Sequence, residues 1–177
     1  ALAITGRSPV VRSFPLTPGI DFSGVVIESK HPAWKERDEV LLNGWGMGEK
    51  YFGGLAEQVT VSGDWLIQKP SAFSFKDTMI IGTAGYTAML CVMALQKHGL
   101  KPSDGKILVT GASGAFGSLA CILLAENGHQ VVGTMRSLKG KNEAIANELK
   151  SKGVALVEMD VTNEESVNAG VKSAIEM

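Results

Sequence analysis

The chain has little cysteine, few aromatics and no surplus of either charge. Cys91 and Cys121 are its only cysteines, each inside an apolar stretch without a CxxC pair or a nearby His. That excludes a disulfide framework and offers no zinc-ligand spacing, so a reducing compartment and no metal are expected. Seventeen Lys and Arg stand against 18 Asp and Glu, a formal net charge of −1, whereas a nucleic-acid module or an anionic-membrane binder would carry a basic excess. No window holds about 18 uninterrupted apolar residues, and the first residues lack the charged-then-apolar layout of a signal peptide. A soluble cytoplasmic protein with neither membrane nor nucleic-acid partner is the expectation. His31, His98 and His129 stand alone beside Pro or Gly, which suits surface or structural roles. The chain begins at Ala1 and not Met, so a processed or partial polypeptide is expected.

Glycine is what the chain has in excess. It supplies 21 of 177 residues, roughly 12% against about 7% in average usage, and clusters in a few loops instead of repeating. With 45% hydrophobic and 20% charged residues the composition is that of a chain able to bury a core, not of a disordered one.

Two patterns divide the length. Short β-type runs at 22–28, 39–42, 55–61 and 65–68, separated by glycine, proline or charged turns, predict a mostly antiparallel β half. Helical spacing starts near Ser74, which pairs with Asp77 in a capping-box pattern, and continues through Ile80, Thr83, Ala84, Thr87, Ala88, Cys91 and Leu95. From Lys106 the order becomes strand, helix, strand, helix, strand, helix. Strands are expected at 106–110, 130–135 and 154–159, with helices at 115–127, 139–152 and 163–176. Gly128 and Gly153 fall at helix C-caps, and Thr162 with Glu165 forms a capping box. Such alternation calls for a parallel α/β sheet with right-handed crossovers and a boundary near Gly82. Ended after three strands of order 3-2-1, the sheet would leave its first strand's edge open, where two copies could pair as a homodimer.

The glycine turn Gly111-Ala112-Ser113-Gly114-Ala115-Phe116-Gly117 follows an apolar strand and opens an apolar helix. Gly111 permits the tight turn, Gly114 lets the backbone approach phosphates, and Gly117 lets helix and sheet pack while helix N–H groups face the anion. Following a strand and opening a helix, this spacing predicts a dinucleotide pyrophosphate site at Gly111, Ser113, Gly114, Ala115, Phe116 and Gly117. About 20 residues on, where an NAD site carries an acid, stand Arg136 and Ser137. A guanidinium there pairs with the 2′-phosphate of NADP, or is simply solvated at a strand end. Asp160, after the third strand, either accepts from an adenine amino group or serves as a local turn acceptor.

In the first half, the loop Gly44-Trp45-Gly46-Met47-Gly48 either covers a flat ligand or packs as a plain glycine loop. Gly82-Thr83-Ala84-Gly85-Tyr86-Thr87 sets hydroxyls at a helix start. They can bond a nicotinamide or a substrate carbonyl, although Thr83 can equally cap the helix and Thr87 back-bond within it. Met89, Cys91 and Met93 read as packing.

Several stretches together carry a family resemblance: Ala1 to Gly6, Pro18-Gly19-Ile20-Asp21-Phe22-Ser23-Gly24, Gly44-Trp45-Gly46, Gly53 to Glu57, Gly63 to Leu66, Ile80 to Met89, and Val109 to Gly114. Up to about residue 137 the chain resembles the medium-chain dehydrogenase/reductase superfamily, and closely its zinc-free quinone-oxidoreductase branch, which includes NADPH-dependent acryloyl-CoA reductases. The resemblance implies a GroES-like β domain fragment at 1–81 and a partial Rossmann domain that binds NADP(H) at 82–177, with an active site in the cleft between them. It also implies hydride transfer without metal to an α,β-unsaturated thioester or quinone-like small molecule, with the phosphates at Ser113 to Gly117 and Arg136. Such an acceptor needs its carbonyl polarised, for which Thr83, Tyr86 or backbone N–H groups are the candidates, with Tyr86 or water as proton donor and Thr87 as a cofactor contact. The branch's Asn-Tyr-Lys-Asp segment is absent, and Ala115-Phe116 replaces its usual Gly-Val. Residues from about 105 onward also resemble the first half of a short-chain dehydrogenase/reductase, especially Met159-Asp160-Val161-Thr162, where that family's Asp-Val pair holds adenine. Its catalytic Tyr-x-x-x-Lys is not present: Leu55 and Leu90 lie four residues beyond Tyr51 and Tyr86.

Overall fold

The computed structural model describes residues 4–7, 9–11 and 13–177. Of the stretch Ala1 to Gly6, the first three residues lie outside the described residues. The chain divides into two units, Ala1–Thr83 and Ala84–Met177, and each has its own three-stranded sheet.

The first unit is antiparallel. β1 (Asp21–Val25) pairs with β2 (Glu39–Asn43), which pairs with the two-residue β3 (Ile67–Gln68). The apolar run of β2 supplies buried Val40, Leu41 and Leu42, and Met47 is also fully buried. Lys69 is buried as well, its Nζ 3.0 Å from Glu39 Oε2 and donating to the Phe73 carbonyl at 2.6 Å. The run 55–61 forms no strand. Instead the Gly53, Gly54 and Leu55 N–H groups donate to the carbonyls of Thr17, Gly19 and Pro18, a docking by single bonds that leaves 55–61 without a ladder partner. A β-prone sequence becomes a strand only where another strand is there to pair.

α1 (Phe75–Lys97) starts from the reciprocal box of Ser74 and Asp77: the Asp77 N–H donates to Ser74 Oγ and the Ser74 N–H to Asp77 Oδ2. It is long and apolar enough, by length and composition, to cross a membrane. Gly82, at φ 48° and ψ −162°, interrupts it, and the residues after the break, at 1.5 Å each, reach only about 22 Å, short of a ~30 Å hydrocarbon core.

The second unit is parallel, in strand order β4 (Lys106–Val109), β5 (Gln130–Met135), β6 (Ala155–Glu158). The connecting helices are α2 (Ala115–Glu126) and α3 (Glu143–Ser151), and α4 (Glu164–Glu176) follows β6. One face of the sheet packs Val131, Met135 and Leu156 against Cys121 and Leu124 of α2 and Ala146 and Leu149 of α3. The other sets Val132 and Val157 against Ala174 of α4. Gly128 (φ 83°) and Gly153 (φ 81°) end α2 and α3 as expected: the Gly128 and His129 N–H groups bond back to Ala125 and Leu124, and those of Gly153 and Val154 to Lys150 and Leu149. The third helix differs from its sequence reading. α3 begins at Glu143 after a 3-10 turn, Gly140–Asn142. α4 is not capped by Thr162 with Glu165; Asn163 is its N-cap and accepts from the Ser166 N–H at 2.8 Å, while the Thr162 N–H and hydroxyl both turn back to Asp160 Oδ1 in a turn that precedes the helix.

Candidate functional site

The turn between β4 and α2 is built around two glycines for which no other residue fits. Gly111 has φ 68°, and a Cβ on Gly117 would lie 2.3 Å from the Gly111 carbonyl oxygen. The first turn of α2 therefore sits directly on the glycine turn. The Ala112 N–H donates to the Thr134 carbonyl at 2.8 Å and ties the turn to β5; on β5 a Cβ at Gly133 would lie 2.9 Å from Ala112 Cβ. Gly114 is the N-cap, and no side chain caps the helix, so the first-turn N–H groups at Ala115, Phe116 and Gly117 have no intrahelical acceptor and carry the positive end of the helix dipole. Ser113, Gly114, Ala115 and Phe116 are exposed there. Uncapped N–H groups over a turn that excludes side chains fit a diphosphate.

Arg136 and Ser137 follow the last residue of β5, at the carboxyl edge of the parallel sheet. Arg136 is exposed. The Ser137 carbonyl accepts from Asn142 Nδ2 at 2.8 Å, its Oγ accepts from the Lys139 N–H at 3.2 Å, and the Leu138 N–H donates to Glu158 Oε1 at 2.8 Å. Asp160 lies just past β6. Its Oδ1 accepts from the Thr162 N–H at 3.0 Å and the Thr162 hydroxyl at 2.8 Å. These bonds, and then the nearby Arg136 charge, hold its carboxyl below the usual range. The turn-acceptor geometry weighed for Asp160 is thus present, on one of its two oxygens.

Asp21 was missed as a site residue in the sequence, although acids are depleted in strands and one opening β1 is a signal. Its Oδ1 accepts from Thr83 Oγ1 at 2.5 Å and from Asn43 Nδ2 at 2.8 Å, and its Oδ2 accepts from the Thr83 N–H at 2.9 Å. A carboxylate from β1 thereby caps the helix that resumes after Gly82. The Thr83 hydroxyl proton is committed to Asp21. Tyr86 and Thr87 lie three and four residues on, along one face of α1, and Tyr86 is 54% exposed.

The loop Gly44 to Gly48 is packed. Met47 is fully buried, a Cβ at Gly48 would lie 2.8 Å from the Gly19 nitrogen, and Trp45, at φ 55°, stacks on Trp65 with ring centroids 6.0 Å apart. His31 is paired: its Nδ1 accepts from the Ala33 N–H, so Nε2 carries the proton that faces Asp64 Oδ1 at 3.1 Å. Among the described residues no three His, Cys, Asp or Glu side chains converge as a metal-binding group.

A parallel β–turn–α unit with this glycine turn defines a dinucleotide-binding class of fold. The chain is similar in sequence and structure to proteins named as acrylyl-CoA reductase and quinone oxidoreductase. The probable acrylyl-CoA reductase AcuI of Escherichia coli is 52% identical over 157 residues, an alignment covering 89% of this chain and 47% of that protein. The putative quinone oxidoreductase YhfP of Bacillus subtilis is 40% identical, over 94% of this chain and 48% of its own length. Among solved structures, the YhdH oxidoreductase of Salmonella enterica in complex with NADP is 49% identical with a TM-score of 0.82, covering 89% of this chain and 47% of that one. The chain spans about half the length of the curated relatives it matches. The short chain dehydrogenase family model matches residues 105–177, the stretch whose resemblance to that family was noted in the sequence.

Proposed function

We propose that the protein is part of an NADPH-dependent oxidoreductase that reduces an activated C=C bond, in an acryloyl thioester or a quinone-like acceptor, without a metal. The observation that carries this reading is the uncapped glycine turn on α2 with Arg136 at the end of the neighbouring β5; the similarity to an acrylyl-CoA reductase supplies the acceptor class. In this reading the N–H groups of Ser113, Ala115, Phe116 and Gly117 hold the diphosphate beside Gly114, whose own N–H donates to the Gly111 carbonyl, Arg136 and Ser137 take the 2′-phosphate, and the free oxygen of Asp160 faces the adenine. Thr83, Tyr86 and Thr87 lie toward the nicotinamide and the acceptor.

NADPH, when bound, supplies a hydride to the β-carbon. The chain's own task is to polarise the acceptor carbonyl and let a proton reach the α-carbon. Because Thr83 donates to Asp21, carbonyl polarisation falls to the Tyr86 hydroxyl or to backbone N–H groups, and Thr83 fixes the helical face that presents them. Tyr86 is the proposed proton donor, with water as its substitute. Among the described residues β4 pairs with β5 alone, and antiparallel pairing of two copies along its other edge is the proposed route to a homodimer, which a sedimentation measurement checks. The enzymatic reading is tested by mixing the protein with NADPH and acryloyl-CoA, with and without a chelator. NADPH consumption insensitive to the chelator is expected. Binding of NADPH with no consumption across enoyl-CoAs and quinones would favour a non-catalytic NADPH-binding module.

A further inference from the structure

Between Arg136 and α3 the backbone passes through Ser137, Leu138 and Lys139 into the turn Gly140–Asn142. The connection is exposed at Arg136, Lys139 and Gly140, the last at φ 64°, while Leu138 is half-buried and packs its side chain against the core. Besides that packing and the local Ser137 Oγ, which accepts from the Lys139 N–H, two further side chains fix the backbone around it. Asn142 Nδ2 donates to the Ser137 carbonyl at 2.8 Å, and the Leu138 N–H donates to Glu158 Oε1 at 2.8 Å. The second contact is not local. Glu158 ends β6, in register with Met135 at the end of β5, so its carboxylate reaches from one strand to the segment that leaves the next.

We propose that Glu158 is a positioning residue for cofactor choice: by accepting the Leu138 N–H it fixes the backbone from which Arg136 and Ser137 present their groups to a 2′-phosphate. This rests on the reading of Arg136 and Ser137 as the NADPH-selecting pair. Charge and position make opposite demands at Glu158. A carboxylate near a phosphate dianion repels it, so removal of a residue acting through charge alone would improve NADPH binding relative to NADH. A residue acting through position has the reverse effect, because a guanidinium on a loosened backbone loses the orientation that its paired hydrogen bonds need.

The test is equilibrium titration of the whole chain with NADPH and with NADH, in wild type, Glu158→Ala and Glu158→Gln. The amide oxygen of Gln keeps an acceptor for Leu138 and loses the charge. In Glu158→Ala the preference for NADPH over NADH is expected to fall by about fivefold to tenfold, the scale of one lost hydrogen bond of ordinary strength. In Glu158→Gln it should hold or rise. A global loss of folding would weaken both cofactors alike and leave the ratio unmoved, which is why the ratio is the readout. An unchanged or increased preference in a Glu158→Ala chain that still binds NADH as tightly as wild type, or an equal fall in both variants, overturns the inference. A wild-type chain with no preference for NADPH overturns the cofactor reading itself, and this inference with it.

Discussion

Gly114 and Gly117 stand three residues apart in one turn, and only at Gly117 does the protein's own packing exclude a side chain. At Gly117 the obstacle is the protein itself, since a Cβ would lie 2.3 Å from the Gly111 carbonyl oxygen and 2.8 Å from its carbon. At Gly114 the nearest atom is 3.4 Å away, an ordinary contact. Gly117→Ala is therefore expected to lower stability by about 2–3 kcal/mol through forced backbone movement. Gly114→Ala should cost less than about 1 kcal/mol, as a poorer N-cap, and should still weaken NADPH binding. Urea unfolding and NADPH titration of both variants separate the two, and equal stability losses would contradict the packing argument. The cysteines divide in the same way. Cys91 is exposed and Cys121 is buried, its thiol pushed up to about 11 by burial. A thiol reagent should label Cys91 in the native protein and Cys121 only on unfolding. A raised thiol pKa favours the folded state below the unfolded value of 9.0, and that contribution is lost as pH climbs from there toward 11. Thermal unfolding across that range should show the decline, and Cys121→Ala should flatten it. The glycines were legible in the sequence because few residues can replace them at such turns; Asp21 was not, because its three hydrogen bonds come from Asn43 and Thr83, distant in the chain.

Elements were readable where their determinants are local. The Ser74 and Asp77 box, the glycine C-caps and the three parallel strands each depend on a handful of consecutive residues, and each formed close to where the pattern put it. The failures depended on partners. Residues 55–61 have strand composition but no ladder. The N-terminus of α4 had two adjacent hydroxyl or amide candidates, and the turn in which Asp160 Oδ1 accepts both the Thr162 N–H and its hydroxyl holds Thr162 ahead of the helix and leaves the cap to Asn163. Asn163→Ala is expected to cost about 1 kcal/mol, the usual loss for an N-cap, whereas Glu165→Ala should cost little. A chemical denaturation series checks this, and the reverse ranking would restore the Thr162 and Glu165 box. The break in α1 at Gly82 was half legible: the sequence put a boundary near Gly82 and a helix start at Gly82-Thr83 while also running helical spacing from Ser74 through it, and what it did not carry is the Asp21 carboxylate that caps the helix after the break.

For the whole molecule, the change from alternating short strands to a β–α repeat was visible along the sequence, and two units with antiparallel and parallel sheets correspond to it. What the pattern did not carry is how the segment after β5 is held, since Glu158 and Leu138 meet only once β5 and β6 are paired. The central claim is that the parallel unit binds NADPH at the glycine turn and selects it through Arg136. Its most direct test is titration of the whole chain with NADPH and NADH, repeated on Arg136→Ala. A paired guanidinium and phosphate contributes roughly 1.5–3 kcal/mol, so wild type should prefer NADPH by about tenfold or more and the variant should lose most of that preference while keeping its affinity for NADH. Equal affinities for the two cofactors in wild type, or equal losses for both in Arg136→Ala, would contradict it.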